Sequence, residues 1–266
     1  MTPKAEGVSP ARRLVAFCGK GGSGKTALTA LMTRVLLESG KKSKMLLIDA
    51  DPVSCLPGAV GAKPNKTVAE VREEIINQAR RARSDQDKTE LANMLDYVLL
   101  DALTEWQGFS LLVMGRQEGP GCFCPVNLLL REAIEVLAQA FELVLIDGEA
   151  GIEQINRRVT GAVDTSVIVT DPTTRGVQAA ALIGKVMQSG SAVKCKTTAL
   201  VINRVKGDET AVRKIAQAAG LQILGCIPED DAVAQYDLIG KPLTGLPDSA
   251  SSVIAVRHIV EQLNLA

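Results

Sequence analysis

The chain of 266 residues is long enough to bury one large core, and 46% apolar with 23% charged residues is the balance of an ordinary globular protein. Thirty Lys and Arg offset thirty Asp and Glu, so the net charge is zero, which argues against coating nucleic acid or anionic lipid across the whole surface. Aromatics at 3% are too sparse for a base-stacking platform, while 23 glycines suit an open α/β sheet with Gly-rich turns.

The N-terminal stretch 1–13 is polar, and the apolar run after it stops at Gly19-Lys20. No segment approaches the roughly 20 apolar residues of a spanning helix. A cytoplasmic location is expected, with the six cysteines (Cys18, Cys55, Cys122, Cys124, Cys195 and Cys226) reduced. Along the chain, RLVAFC at Arg13–Cys18 leads into a Gly-rich loop at 19–26 and then an amphipathic segment to about Glu38. Short Val/Ile/Leu-rich runs recur at 44–49, 110–114, 142–147, 165–170, 197–202 and 221–226, each separated from the next by helix-length intervals. This pattern predicts a single α/β domain over 1–266, with a mainly parallel sheet of seven to eight strands and helices on both faces. Two regions break the rhythm. Residues 63–103 read as a helical excursion with no convincing strand, and 240–249 (GKPLTGLPDS) as a Pro/Gly linker before a last helix at about 251–263. Ser249, Ser251 and Ser252 are candidate N-caps for that helix.

Gly19-Lys20-Gly21-Gly22-Ser23-Gly24-Lys25-Thr26 matches G-x-x-x-x-G-K-[ST], between a predicted strand and a predicted helix. Glycines let the backbone wrap a phosphate, and successive N–H groups with the helix N-terminus supply donors and positive potential. Lys25 is expected to reach the β/γ-phosphates and the Thr26 hydroxyl to bind Mg²⁺. The fold expectation is therefore a P-loop NTPase domain.

Lys20, just after the first glycine, makes a resemblance specific. K-G-G-S-G-K-T resembles the deviant Walker A motif of the MinD/ParA/nitrogenase-reductase ATPases. The resemblance implies that Lys20 reaches across a dimer interface to the partner's nucleotide. Asp49-Ala50-Asp51-Pro52 resembles that group's switch I, which implies that Asp51 orients or deprotonates the attacking water beside Mg²⁺ and that Asp49 is an outer partner of the same ion. Asp147-Gly148-Glu149-Ala150-Gly151 resembles switch II, with Asp147 near Mg²⁺ and the Gly148 N–H facing the γ-phosphate. Carboxylates at strand C-termini can equally be helix N-caps, but two of them beside a P-loop on one sheet edge favour a ligand. Asn203-Arg204 resembles the group's adenine-reading position, and Pro228-Glu229-Asp230 occupies that of a second base-contacting loop.

Cys122 and Cys124 flank Phe123 in a loop rich in Gly and Pro. Cysteines one residue apart point the same way along an extended segment, and a disulfide between them would be strained. A shared metal is the better functional reading, and two small buried residues the bland one. A pair is half of a four-ligand site, so a second copy across a twofold axis would complete it. Together with Asn127, Arg131 and D-x-E-A-G-x-E (Asp147, Glu149, Ala150, Gly151, Glu153), the pair resembles the CooC-type ATPases and their AcsF branch. The resemblance implies a homodimer with ATP and a metal at its interface, Ni²⁺ in function and often Zn²⁺ in preparations. Its client would be carbon monoxide dehydrogenase or acetyl-CoA synthase, with neither nucleic acid nor membrane as partner. Two readings compete: a MinD/ParA-type positioning ATPase, which binding to DNA or vesicles would mark, and a nitrogenase-reductase-like iron–sulfur electron carrier, which absorbance near 400 nm would mark. Cys18, Cys55, Cys195 and Cys226 read as packing residues, with Cys55 in switch I the candidate for exposure near the interface; His258 reads as a surface or half-buried residue and Trp106 as a core or lid residue.

Overall fold

The structure is a computed structural model, which describes residues 12–40, 44–81, 99–116, 124–149, 159–188 and 194–265. Eight strands form one sheet: β1 (Arg13–Cys18), β2 (Met45–Asp49), β3 (Leu103–Trp106), β4 (Phe109–Val113), β5 (Leu143–Asp147), β6 (Ala162–Thr170), β7 (Lys194–Val205) and β8 (Ile223–Pro228). Their spatial order is β3-β4-β2-β5-β1-β6-β7-β8, and every neighbouring pair is parallel except β3–β4. The helices among the described residues include α1 (Lys25–Glu38), α2 (Leu56–Val60), α3 (Val68–Arg81), α4 (Cys124–Ala138), α5 (Thr174–Gln188), α6 (Thr210–Ala218), α7 (Asp231–Leu238) and α8 (Ser251–Gln262).

Strand alternation builds two cores from one sheet. In β1, Leu14, Ala16 and Cys18 face the core covered by α3, α4, α5 and α6, while Val15 and Phe17 face the core covered by α1, α2 and α8. All five residues of β2 and all five of β5 are buried, as a central parallel strand sandwiched between helices requires. The single α/β architecture with helices on both faces thus stands as expected.

Three sequence readings need correction. The excursion at 63–103 does contain a helix, α3, opened by a reciprocal cap in which Thr67 N donates to Glu70 Oε2 at 2.7 Å and Glu70 N donates to Thr67 Oγ1 at 3.2 Å. What the sequence did not show is the edge strand β3 at its end, which turns through Gln107-Gly108 and pairs antiparallel with β4, Trp106 opposite Phe109. Trp106 is therefore a half-buried residue of an edge hairpin at the end of the sheet away from the Gly-rich loop. The linker at 240–249 is a packed segment: Leu243 and Leu246 are buried, and the buried Arg34 of α1 bonds the Leu246 carbonyl and Asp248. None of the three serines caps α8, whose N-cap is Ala250; the acceptor comes instead from Asp230, beyond β8.

Candidate functional site

The carboxyl ends of β1, β2, β5 and β7 converge on the Gly-rich loop. Gly19 leaves β1 at φ 139°, so close to the next strand that a Cβ there would lie 2.1 Å from the Val169 carbonyl oxygen. Gly24 takes a left-handed conformation (φ 95°) as the N-cap of α1, which points the first turn of that helix into the loop. Lys25 is buried, and its Nζ donates to the carbonyls of Gly19 (3.1 Å) and Lys20 (3.4 Å), a position from which it can turn onto an anion in the loop. Lys20, Gly21 and Gly22 are exposed, whereas Ser23 is buried, with its hydroxyl lacking a hydrogen-bond partner among the described residues.

Two carboxylates stand side by side behind this loop, because Asp49 and Asp147 are register partners at the ends of β2 and β5. Burial, and then the neighbouring Asp147 charge, push Asp49 up to about 7 against the pull of the Leu56 and Asp51 N–H groups. Asp49 Oδ1 accepts from Asp51 N (3.1 Å) and Oδ2 from Leu56 N (3.0 Å), so this side chain shapes the loop between β2 and α2. Burial likewise raises Asp147 to about 6, with the adjacent Thr26 hydroxyl and Lys25 charge opposing it. Neither Asp147 oxygen meets a partner at full hydrogen-bond geometry among the described residues. An orphaned buried carboxylate next to a hydroxyl and an ammonium fits a hard cation with oxygen ligands. Asp51 is half-buried, and its Oδ1 accepts from Val53 N at 2.8 Å. The Gly148 N–H is committed to the sheet, donating to the Phe17 carbonyl at 3.0 Å, which corrects the expectation that it faces a phosphate.

An open cleft of about 690 Å³ lies against the loop, lined by Gly21, Gly22, Gly24, Lys25 and Thr26 together with Asp51, Cys55, Glu149, Arg204 and Lys241. Sequence reasoning did not pick out Asp237 or Lys241, which reach this cleft from α7 and the turn after it. No motif marks them. Cys55 is exposed there, and burial together with nearby aspartates raises its thiol.

Beside the cleft lies a second cavity of about 250 Å³, lined by Leu28, Leu31, Asn203, Arg204, Pro228 and Glu229 among others. Asn203 is buried in a bulge of β7, next to Arg204 at φ 58°, a strained non-glycine conformation of the kind that marks functional sites. Its Nδ2 donates to the Ser23 carbonyl at 2.8 Å and its Oδ1 accepts from Arg204 N at 3.0 Å. One N–H and one lone pair of the amide remain for a ligand. Glu229 forms an ion pair with Lys206, and Pro228 closes β8.

Residues 14–243 match the family model described as the CobQ/CobB/MinD/ParA nucleotide binding domain, named CbiA. The chain belongs to this family. As a CbiA-family P-loop ATPase it binds and hydrolyses ATP. It is 39% identical over 251 residues to an uncharacterized ATP-binding protein of Methanocaldococcus jannaschii, covering 94% of this chain and 98% of that one. It is 31% identical over 234 residues to the carbon monoxide dehydrogenase accessory protein CooC of Rhodospirillum rubrum, covering 85% and 87% of the two chains. The fold is that of the Pyrococcus furiosus cell division ATPase MinD, with a TM-score of 0.67 at 22% identity over 95% of this chain and 98% of that one.

Cys122 lies outside the described residues, and Cys124 is the first residue of α4. Among the described residues no group of three or more His, Cys, Asp or Glu side chains is placed to hold a metal. Also among them, no helix is long and apolar enough to cross a membrane.

Proposed function

We propose that this CbiA-family ATPase is a nickel-handling factor of the CooC kind, which uses ATP to bring two chains together around a metal ion destined for a nickel enzyme. The reading is carried by one combination: the loop with its extra Lys20, the Cys122-Phe123-Cys124 pair and the D-x-E-A-G-x-E segment in a chain 31% identical to a carbon monoxide dehydrogenase accessory protein. Members of the family commonly dimerise, which supplies the twofold axis that a two-cysteine half-site needs.

In this reading the Gly19–Thr26 backbone holds the phosphates, and Lys25 leaves the Gly19 and Lys20 carbonyls for the β/γ-phosphates. Lys20, exposed on the loop, completes the partner's site. Mg²⁺, held by the Thr26 hydroxyl and the orphaned Asp147 carboxylate, would neutralise phosphate charge when bound. Asp49 keeps the loop after β2 in shape and so sets where Asp51 stands; Asp51 orients the attacking water. Asn203, with Arg204, Pro228 and Glu229 around it, receives the adenine. The nickel ion is cargo, taken by Cys122 and Cys124 of both chains; Zn²⁺ suits the same sulfurs. Loss of the γ-phosphate then releases the dimer and the metal to carbon monoxide dehydrogenase or acetyl-CoA synthase.

A MinD-like positioning role is the second reading, since the chain is also 26% identical to septum site-determining protein MinD of Bacillus subtilis. Against a membrane role for the last helix, α8 commits Val253, Val256, Ile259 and Val260 to the core. Equilibrium dialysis against Ni²⁺ tests the proposal. One nickel per two chains is expected, lost in Cys122→Ala/Cys124→Ala; nickel uptake that survives the double substitution would overturn it.

A further inference from the structure

The wall of the smaller cavity is held by a residue to which none of the relatives' names points. Asp230 follows β8 and is the N-cap of α7, its Oδ1 accepting from Ala232 N at 2.9 Å. Its other oxygen, Oδ2, accepts from Ser252 N at 2.9 Å and Ser251 Oγ at 3.1 Å, in the first turn of α8, a helix with no side-chain cap of its own. One carboxylate thus satisfies the starts of two helices that are separate in sequence, and these interactions hold its pKa below the usual carboxylate range despite partial burial. Both helices face the cavity: Val233 and Ala234 from α7 and Ser252 from α8 line it with Leu28 and Leu31 of α1, and Asp230 stands in the same lining. The Ser252 hydroxyl is buried beside Asp230 without a partner at hydrogen-bond geometry among the described residues.

We propose that Asp230 is the positioning residue of the base site, fixing α7 and α8 as the wall against which the purine of ATP lies. The inference rests on reading this cavity as the base site. Apolar side chains from α1, α7 and β8 suit the faces of a planar heterocycle, and the spare N–H and lone pair of Asn203 suit its edge. With three donors already bound, Asp230 has little acceptor capacity left for the base N–H groups of guanine. It acts through the helices. Without it, Ser252 N at the start of α8 and Ala232 N at the start of α7 lose their acceptor together, and the wall relaxes away from the cavity.

Steady-state ATPase kinetics, with tripolyphosphate as a competitive inhibitor, test this in wild type, Asp230→Asn, Asp230→Ala and Ala234→Phe. The last fills the cavity from α7. Asp230→Ala is expected to raise KM for ATP about tenfold, the equivalent of losing the caps, with kcat little changed. Inhibition by tripolyphosphate, which has no base, stays at the wild-type value. Asp230→Asn keeps one good acceptor and recovers part of the loss, so it carries the test if the alanine variant does not fold. Wild-type KM in both Asp230 variants beside a raised KM in Ala234→Phe would overturn the positioning role and leave the base site standing. Wild-type KM in Ala234→Phe would overturn the base site and the inference with it. Equal weakening of ATP and tripolyphosphate in the Asp230 variants would mark a general loss of structure and also overturn it.

Discussion

Gly19, Gly21 and Gly24 share one loop but not one constraint. A Cβ on Gly19 would strike the Val169 carbonyl and one on Gly24 the Asn203 amide, both at 2.1 Å and both at positive φ, whereas one on Gly21 would meet nothing within 4 Å. Gly19→Ala is therefore expected to cost about 2–4 kcal/mol in urea unfolding, and Gly21→Ala within about 0.5 kcal/mol of zero. Equal effects would contradict the geometry. The carboxylates behave differently. Asp147 is raised to about 6, so the folded protein binds a proton more readily than the unfolded chain does. Its contribution is fully favourable below about pH 4 and is lost as pH rises through 6. Asp147→Asn should stabilise the nucleotide-free protein by about 2–3 kcal/mol at pH 8, with the gain shrinking towards pH 5, while ATPase activity falls. Destabilisation at pH 8 would show that the charged carboxylate has a partner. The sequence pattern marked Asp147 and Asn203, but not that the Gly148 N–H is spent on Phe17 or that half of the Asn203 amide holds the loop itself, since both depend on contacts between distant strands.

At the level of elements, the strands between helices were readable because a buried parallel strand is a short, nearly continuous apolar run. β3 was not, since LTEW is brief, half polar and lies at an edge, where only one neighbour selects its residues. The segment at 240–249 misled for another reason. Its Pro and Gly content is that of a linker, yet Leu243, Leu246 and the Arg34 bonds anchor it to α1, and α1 begins in the phosphate loop. Arg34 also pairs with Glu38 at 2.7 Å. Because Asp248 is largely solvated and Glu38 partly so, Arg34→Met is expected to cost only about 1–2 kcal/mol globally. Its sharper effect is local, namely cleavage by protease within 243–249 at native conditions. A variant as resistant as wild type would show that the two leucines suffice to hold the segment.

Over the whole molecule, one sheet carries two separate cores and gathers its chemistry at the carboxyl ends of the parallel strands, where open α/β sheets bind ligands. The α/β class and the nucleotide loop followed from periodicity and one motif, because both are local. A dimer is not local: the proposed two-cysteine half-site and Lys20, exposed on its loop, would gain meaning only from a second chain. The proposed function makes ATP and nickel coupled ligands of one closed pair, each raising the affinity for the other by the same factor. The most direct measurement is the Ni²⁺ dissociation constant, with solution mass, in the absence and presence of a non-hydrolysable ATP analogue, for wild type and Lys20→Ala. The account expects the analogue to tighten nickel binding about tenfold or more and to double the mass in wild type, and to do neither in Lys20→Ala. Nickel affinity that ignores the nucleotide in wild type would contradict it.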